Sequence, residues 1–159
     1  MVKGVALLLV VLLGSAVSQA SQKFPTGPDE NLTPGALCNH PDSFRYPEKI
    51  KYCERDVSTD QKRAIFAKYD QLGYRTRSMN RQAFKIDHYI PLCAGGSNDA
   101  RNLWPQHESV YKITDALEQL VCEKMAQGRL KQKDAIEYIR TAKNNLDSAH
   151  DIIEEVQSL

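Results

Sequence analysis

Residues 84 to 107 read Phe84-Lys85-Ile86-Asp87-His88-Tyr89-Ile90-Pro91-Leu92-Cys93-Ala94-Gly95-Gly96-Ser97-Asn98-Asp99-Ala100-Arg101-Asn102-Leu103-Trp104-Pro105-Gln106-His107. The alternation over 84–90 predicts a β-strand that Pro91 ends. Gly95 to Asp99 is a turn cluster, and Leu103 and Trp104 open a second short strand. This stretch places a carboxylate beside an imidazole at Asp87-His88, then Asn102, then a second imidazole at His107. A hard metal ligand, a base that titrates near neutral pH and a second possible ligand are the parts that metal-assisted phosphodiester hydrolysis needs. In a regular strand Asp87 and His88 point to opposite faces. Both serve one phosphate only if the strand twists or ends there, which Pro91 favours.

On the N-terminal side, residues 45–85 carry 11 Lys or Arg against 5 Asp or Glu, although the whole chain has a formal charge of only +1. Such a local patch is what a phosphate backbone responds to. Arg75, Arg77, Arg81 and Lys85 are its candidate substrate contacts. After Lys143 there are four acids and no Lys or Arg, so the chain is polarised. Residues 21–44 are rich in Pro, Gly, Ser, Asn and Asp and read as a loop-rich entry segment. A short strand is expected around Ile50 to Cys53. Ser58 or Thr59 can cap a helix bearing Ile65, Phe66 and Tyr69, with Gly73 as its stop. After His107, Val110, Ile113, Leu117, Leu120 and Val121 recur at helical spacing up to Gly128. A further helical stretch is expected from about Lys131 into the 150s. The expected class is α+β, a small mainly helical domain built around a hairpin and its following helix.

Lys3 followed by the apolar run Val5 to Leu13, then Ser18-Gln19-Ala20, reads as a signal peptide cut after Ala20. The expected organisation is therefore 1–20 signal peptide, 21–44 entry segment and 45–159 the functional domain. The exported product would be secreted or periplasmic, monomeric, and without stable membrane association. All four cysteines, Cys38, Cys53, Cys93 and Cys122, fall after the signal. An even count in an exported chain suggests two disulfides. Three pairings are possible, and the expected one joins Cys38 to Cys53 and Cys93 to Cys122. No Cys-x-x-Cys occurs, and the spacings fit no zinc ribbon.

Strand, loop, strand, helix, with Asp-His leading, resembles the HNH endonucleases of the ββα-metal superfamily. The residues that carry the resemblance are Asp87-His88, Ile90-Pro91-Leu92, Gly95-Gly96 and Asn102-Leu103-Trp104-Pro105. The likeness is strongest to small exported members with a core of the form DH-IPL--GG------NLWPQ before a helix carrying an acid, here matched by Asp115 and Glu118. The resemblance implies that His88 is the general base, that Asp87 holds a divalent ion, most naturally Mg²⁺, and that Asn102 ties the hairpin loop together and so holds the base in position. The family's last ligand is a His or Asn on the helix, usually 20 or more residues after the base. Here His107 stands 19 after it, with Gln106 or Glu108 as fallback. Asp115 and Glu118 are expected to support the site or pair with a basic side chain rather than bind metal. The substrate implied is DNA, possibly RNA, contacted mainly through phosphates and so with little sequence preference. Competing readings are a non-catalytic nucleic-acid-binding module on the same scaffold and a disulfide-stapled envelope protein.

Overall fold

The computed structural model describes residues 23–159, so the expected signal peptide over 1–20 lies outside the described residues. A short ribbon comes first, β1 (Ser43–Arg45) antiparallel to β2 (Ile50–Tyr52). It is followed by α1 (Thr59–Gln71), whose N-cap Ser58 accepts from the Gln61 N–H at 3.1 Å. A second hairpin pairs β3 (Phe84–His88) with β4 (Leu103–His107), and β4 runs directly into α2 (Glu108–Ala126). Then come α3 (Gln132–Asn144) and α4 (Ala149–Ser158). The class is mixed α+β.

The single helical stretch expected from Lys131 into the 150s is in fact two helices. Asn145 leaves the helical region (φ −140°, ψ 95°), and its side-chain oxygen accepts from the Asp147 N–H at 3.2 Å. This local bond competes with helix propagation. The strand expected over 84–90 is also shorter, ending at His88. The loop-rich entry segment is not a loose appendage. Thr33 is buried, bonded to the Tyr69 hydroxyl at 2.8 Å and to the Leu103 carbonyl at 3.0 Å, and the Phe24 ring stacks on His107.

Two apolar clusters hold the fold. One joins Leu117, Val121, Met125, Ala135, Ile139, Ala142, Ile152 and Val156 from α2, α3 and α4 with Ile50, Ile90 and Ala94. The other joins Ile65, Phe66 and Tyr69 of α1 to Phe84, Ile86, Leu103 and Trp104 of the second hairpin. Phe66 and Phe84 meet edge to face, with ring centroids 5.9 Å apart. Among the described residues no helix is long and apolar enough to cross a membrane.

The disulfides are Cys38–Cys53 and Cys93–Cys122, as expected. The first staples the base of the β1–β2 ribbon. The second fastens the loop after β3 to α2 across 29 residues of sequence. A cross-link closing a loop of that size removes chain entropy from the unfolded state, a stabilisation of about 3–4 kcal/mol. Replacing Cys93 and Cys122 together by Ser is expected to lower unfolding free energy by about that amount in urea titrations; an unchanged midpoint would show that the loop is held without the bond.

Candidate functional site

In the β3–β4 register Phe84 faces His107, Lys85 faces Gln106, Asp87 faces Trp104 and His88 faces Leu103. Directly opposed residues share a face. One face of the hairpin therefore bears Phe84, Ile86, His88, Leu103, Pro105 and His107. The other bears Lys85, Asp87, Trp104 and Gln106. β3 stays in register through His88, so the Asp87 and His88 side chains diverge to opposite faces.

Among the described residues the outer edge of β3 has no neighbouring strand. The Ile86 and His88 carbonyls point along it, because Tyr89 on the alternate phase bonds back to β4 through its N–H (2.7 Å to the Asn102 carbonyl). Cations occupy the edge instead. Arg55 Nη2 donates to the Ile86 carbonyl at 3.2 Å, and Lys143 Nζ to the His88 carbonyl at 2.6 Å.

His88 is almost wholly buried, and its Nε2 lies 3.0 Å from Asn98 Oδ1. The Asn98 amide is oriented by its other bond, Nδ2 donating to the Glu54 carbonyl at 2.7 Å. Oδ1 must then accept from His88, so in the neutral ring Nε2 carries the proton and Nδ1 carries the basic lone pair. Nδ1 has no hydrogen-bond partner among the described residues and is not sealed from solvent. Burial, with the nearby Arg55 and Lys143 charges, holds the imidazole below its ordinary 6.5 against the opposing effect of Asn98 and Asp87. The ring is therefore neutral at pH 7 and able to take a proton.

Asn102 is fully buried and fully engaged. Its Oδ1 accepts from the Ile90 N–H at 2.9 Å, and its Nδ2 donates to the Ile90 and Ser97 carbonyls at 2.9 Å each. These bonds close the loop that carries Asn98. Gly96 is required here, because a Cβ at that position would strike the Ile90 carbonyl. Asn102 touches no candidate reacting atom; it shapes the loop that positions His88.

On the other face Asp87 is surrounded by lysine. Lys143, with no exposed surface, reaches Asp87 Oδ2 at 2.7 Å and Glu118 Oε1 at 2.6 Å. Lys85 Nζ bridges Asp115 Oδ1 at 2.6 Å and Asp87 Oδ1 at 3.4 Å. Burial would raise the Asp87 carboxyl, but the Lys143 and Lys85 charges outweigh it and hold the group below its ordinary value. Burial would lower Lys143, and the two carboxylates more than offset that. Asp115 and Glu118 do pair with basic side chains.

His107 is not brought to Asp87. It lies on the opposite face at the far end of the hairpin, stacks on Phe24 at 3.9 Å between centroids, and its Nδ1 caps α2 by accepting from the Ser109 N–H at 3.2 Å. The fallback Glu108 is paired with Lys112 at 2.7 Å. Gln106 is on the Asp87 face, buried, with Nε2 bonded to Thr114 and Oε1 unpartnered. Among the described residues no three His, Cys, Asp or Glu side chains are grouped to hold a metal. The residues thus do not fit the Asp87–His107 ion site that the resemblance implies: one carboxylate is saturated with ammonium groups and the second ligand is elsewhere.

Of the expected substrate contacts, Lys85 is spent on Asp87 and Asp115. Arg77 is paired with Asp70 at 2.8 Å, and Arg81 donates to the Phe84 carbonyl while lying over the Phe66 ring. Arg75 is exposed in the same loop, at the Phe84 end of the hairpin. That end is about 13 Å from His88, four strand residues at roughly 3.3 Å each. Arg55, not singled out from the sequence, is the arginine beside His88. Lys143 and Asn98 were also missed. Lys143 had a legible signal, since it extends the stripe Ala135, Ile139, Ala142 in helical spacing, where a lysine does not belong unless paired. Asn98 and Arg55 had none.

Compared with protein-family models, curated proteins and solved structures, the chain matches none.

Lys143→Met keeps the stem and removes the charge, leaving Asp87 buried beside an apolar group. The expected loss is about 3–5 kcal/mol in urea denaturation, partly restored by adding Asp87→Asn; no recovery in the double variant would refute the pairing. Burial also raises Glu118 from an ordinary 4.5 to about 7. The folded state then keeps a proton that the unfolded chain releases, so this group's contribution to stability is whole below about pH 4.5 and is lost as pH rises through 7. Thermal melts from pH 4.5 to 8 should show the wild type losing stability relative to Glu118→Gln as pH rises; parallel curves would contradict the shift.

Proposed function

We propose that the protein is an exported HNH-type endonuclease that hydrolyses phosphodiester bonds of DNA, or secondarily RNA, with His88 as general base. The observation that carries the reading is the state of His88: a neutral imidazole of fixed tautomer, with a solvent-reaching Nδ1, beside Arg55 on an unpaired strand edge. Water bound between Nδ1 and phosphorus loses a proton to Nδ1 as its oxygen bonds to phosphorus. The phosphorus–oxygen bond to the 3′ side breaks, and the leaving oxygen takes up a proton from solvent. Arg55 has guanidinium N–H groups left over from its bond to Ile86, and these suit a non-bridging phosphate oxygen. Asn98 holds the ring, and Asn102 holds the loop that holds Asn98. Contact is to phosphate, so sequence preference is weak. Export through the segment before residue 21 would supply the oxidising compartment that the two disulfides require. The catalytic unit is a monomer.

A second reading, a nucleic-acid-binding module without catalysis, is favoured by one specific observation: both oxygens of Asp87 are already held by lysines.

Plasmid incubated with purified protein, in EDTA and across Mg²⁺, Mn²⁺, Ni²⁺ and Zn²⁺, decides between them. Nicking is expected, reduced at least a hundredfold in His88→Ala, on the scale of about 10²–10⁴ for a lost general base. The rate should rise with pH about a midpoint below 6.5, because His88 must be deprotonated and its pKa is lowered. Equal nicking by His88→Ala would remove the mechanism. Retention of nucleic acid without cleavage under every condition would establish the second reading.

A further inference from the structure

We propose that the outward face of the β1–β2 ribbon binds single-stranded nucleic acid, with Phe44 as the platform on which a base stacks and Lys51 as the adjacent phosphate partner. The inference rests on the nucleic-acid reading of the His88 edge and adds the strand state of the substrate and where it lies.

Phe44 is 63% exposed among the described residues, the most exposed large hydrophobic side chain there. A lone exposed phenylalanine is ordinary. This one is distinguished by what lies beside it and by how firmly it is held. The register puts Phe44 directly opposite Lys51, so ring and ammonium share one face. The other face is spoken for: Ile50 is buried in the helical core, and the Arg45 guanidinium lies 3.2 Å from the Tyr52 ring centroid.

The ribbon is fixed at both ends. At its base are the Cys38–Cys53 disulfide and the Glu54 N–H donating to Asp42 Oδ2 at 2.8 Å. At its tip Glu48 Oε2 accepts from the Gln132 N–H at 2.7 Å, where α3 begins. The tip also holds Tyr46 (φ 64°) and Lys49 (φ 54°) in the left-handed region, a conformation that costs a non-glycine residue energy and persists only under outside constraint. An aromatic ring presented on so rigid a support loses little freedom when a ligand stacks on it.

Position and charge indicate the occupant. Beyond Tyr52 the chain continues to Glu54, whose carbonyl holds Asn98, and to Arg55 beside His88. Lys51 and Arg55 are four residues apart, at most about 13 Å of chain. A strand whose base stacks on Phe44 can therefore run past Arg55 to His88. Over residues 45–55, Arg45, Lys49, Lys51 and Arg55 outnumber Glu48 and Glu54, and Glu48 is committed to Gln132. A flat ring without a groove-entering element suits unpaired bases, because duplex bases present no free face.

The test is fluorescence anisotropy in EDTA, so that no hydrolysis interferes, with one labelled oligonucleotide offered as a single strand and as a duplex. Heparin and vesicles of anionic phospholipid are the control ligands. Wild type is expected to prefer the single strand. Phe44→Ala should weaken that binding by about ten- to a hundredfold, the range for loss of one stacked base, and Phe44→Trp should restore it. Lys51→Gln should weaken both nucleic acids and reduce the salt dependence. Phe44→Ala binding the single strand like wild type overturns the proposal. So does a Phe44 requirement seen for vesicles alone, or a Lys51 effect on heparin and oligonucleotide alike with no Phe44 effect. Binding that needs Phe44 without any plasmid nicking supports this surface while removing the nuclease reading. Nicking indifferent to Phe44 does the reverse.

Discussion

One buried ammonium group organises the molecule. Lys143 has no exposed surface, and its Nζ is within 2.7 Å of Asp87 Oδ2, Glu118 Oε1 and the His88 carbonyl. Each acceptor is on a different element or strand position, so a single charge fastens α3 to the outer edge of β3 and to the middle of α2. Taking an ammonium out of water costs several kcal/mol, and only closely placed acceptors offset it. The hairpin cannot slide relative to the helices without leaving that charge unpaired. The register of β3, and with it the position of His88, is set by this requirement as much as by apolar packing.

The same interaction divides the hairpin into two chemistries. On the Asp87 face, two lysines answer three carboxylates, Asp87, Asp115 and Glu118. On the His88 face, a neutral imidazole keeps one nitrogen available. The strand edge between them is lined by cations instead of by another strand. An unpaired edge is normally a liability for aggregation. Here Arg55 and Lys143 satisfy its carbonyls in place of a further strand.

Much of the scaffold was legible because it rests on short-range rules. Ser58 caps α1, Gly73 and Gly128 take positive φ just past the helix ends, and Pro91 follows the end of β3. Asn102 was legible through its place in the motif, and its bonds to Ile90 and Ser97 are the loop-tying kind expected of it. The break at Asn145 was hidden because the apolar spacing on its two sides continues in helical phase, while the Asx turn that ends α3 depends on one side-chain bond. The position of His107 is not legible in the same way, because the sequence shows that an imidazole is present and not which face it occupies. A three-residue offset across the hairpin moves it to the opposite face from Asp87 and the far end of β4.

The amino-acid sequence by itself determined most of the elements, an even set of cysteines able to pair and the order of the Asp-His-Asn motif, since propensity, capping and periodicity act over a few residues. Only the tertiary structure decided which cation meets which carboxylate, that Arg55 rather than Arg75 or Arg77 reaches His88, and that Asn98 sets the tautomer of the ring. The His88–Asn98 and Lys143–Asp87 contacts join residues 10 and 56 positions apart in the chain. A side chain in the sequence carries its charge, but its direction and its partners are settled only when the strands pair and the helices pack.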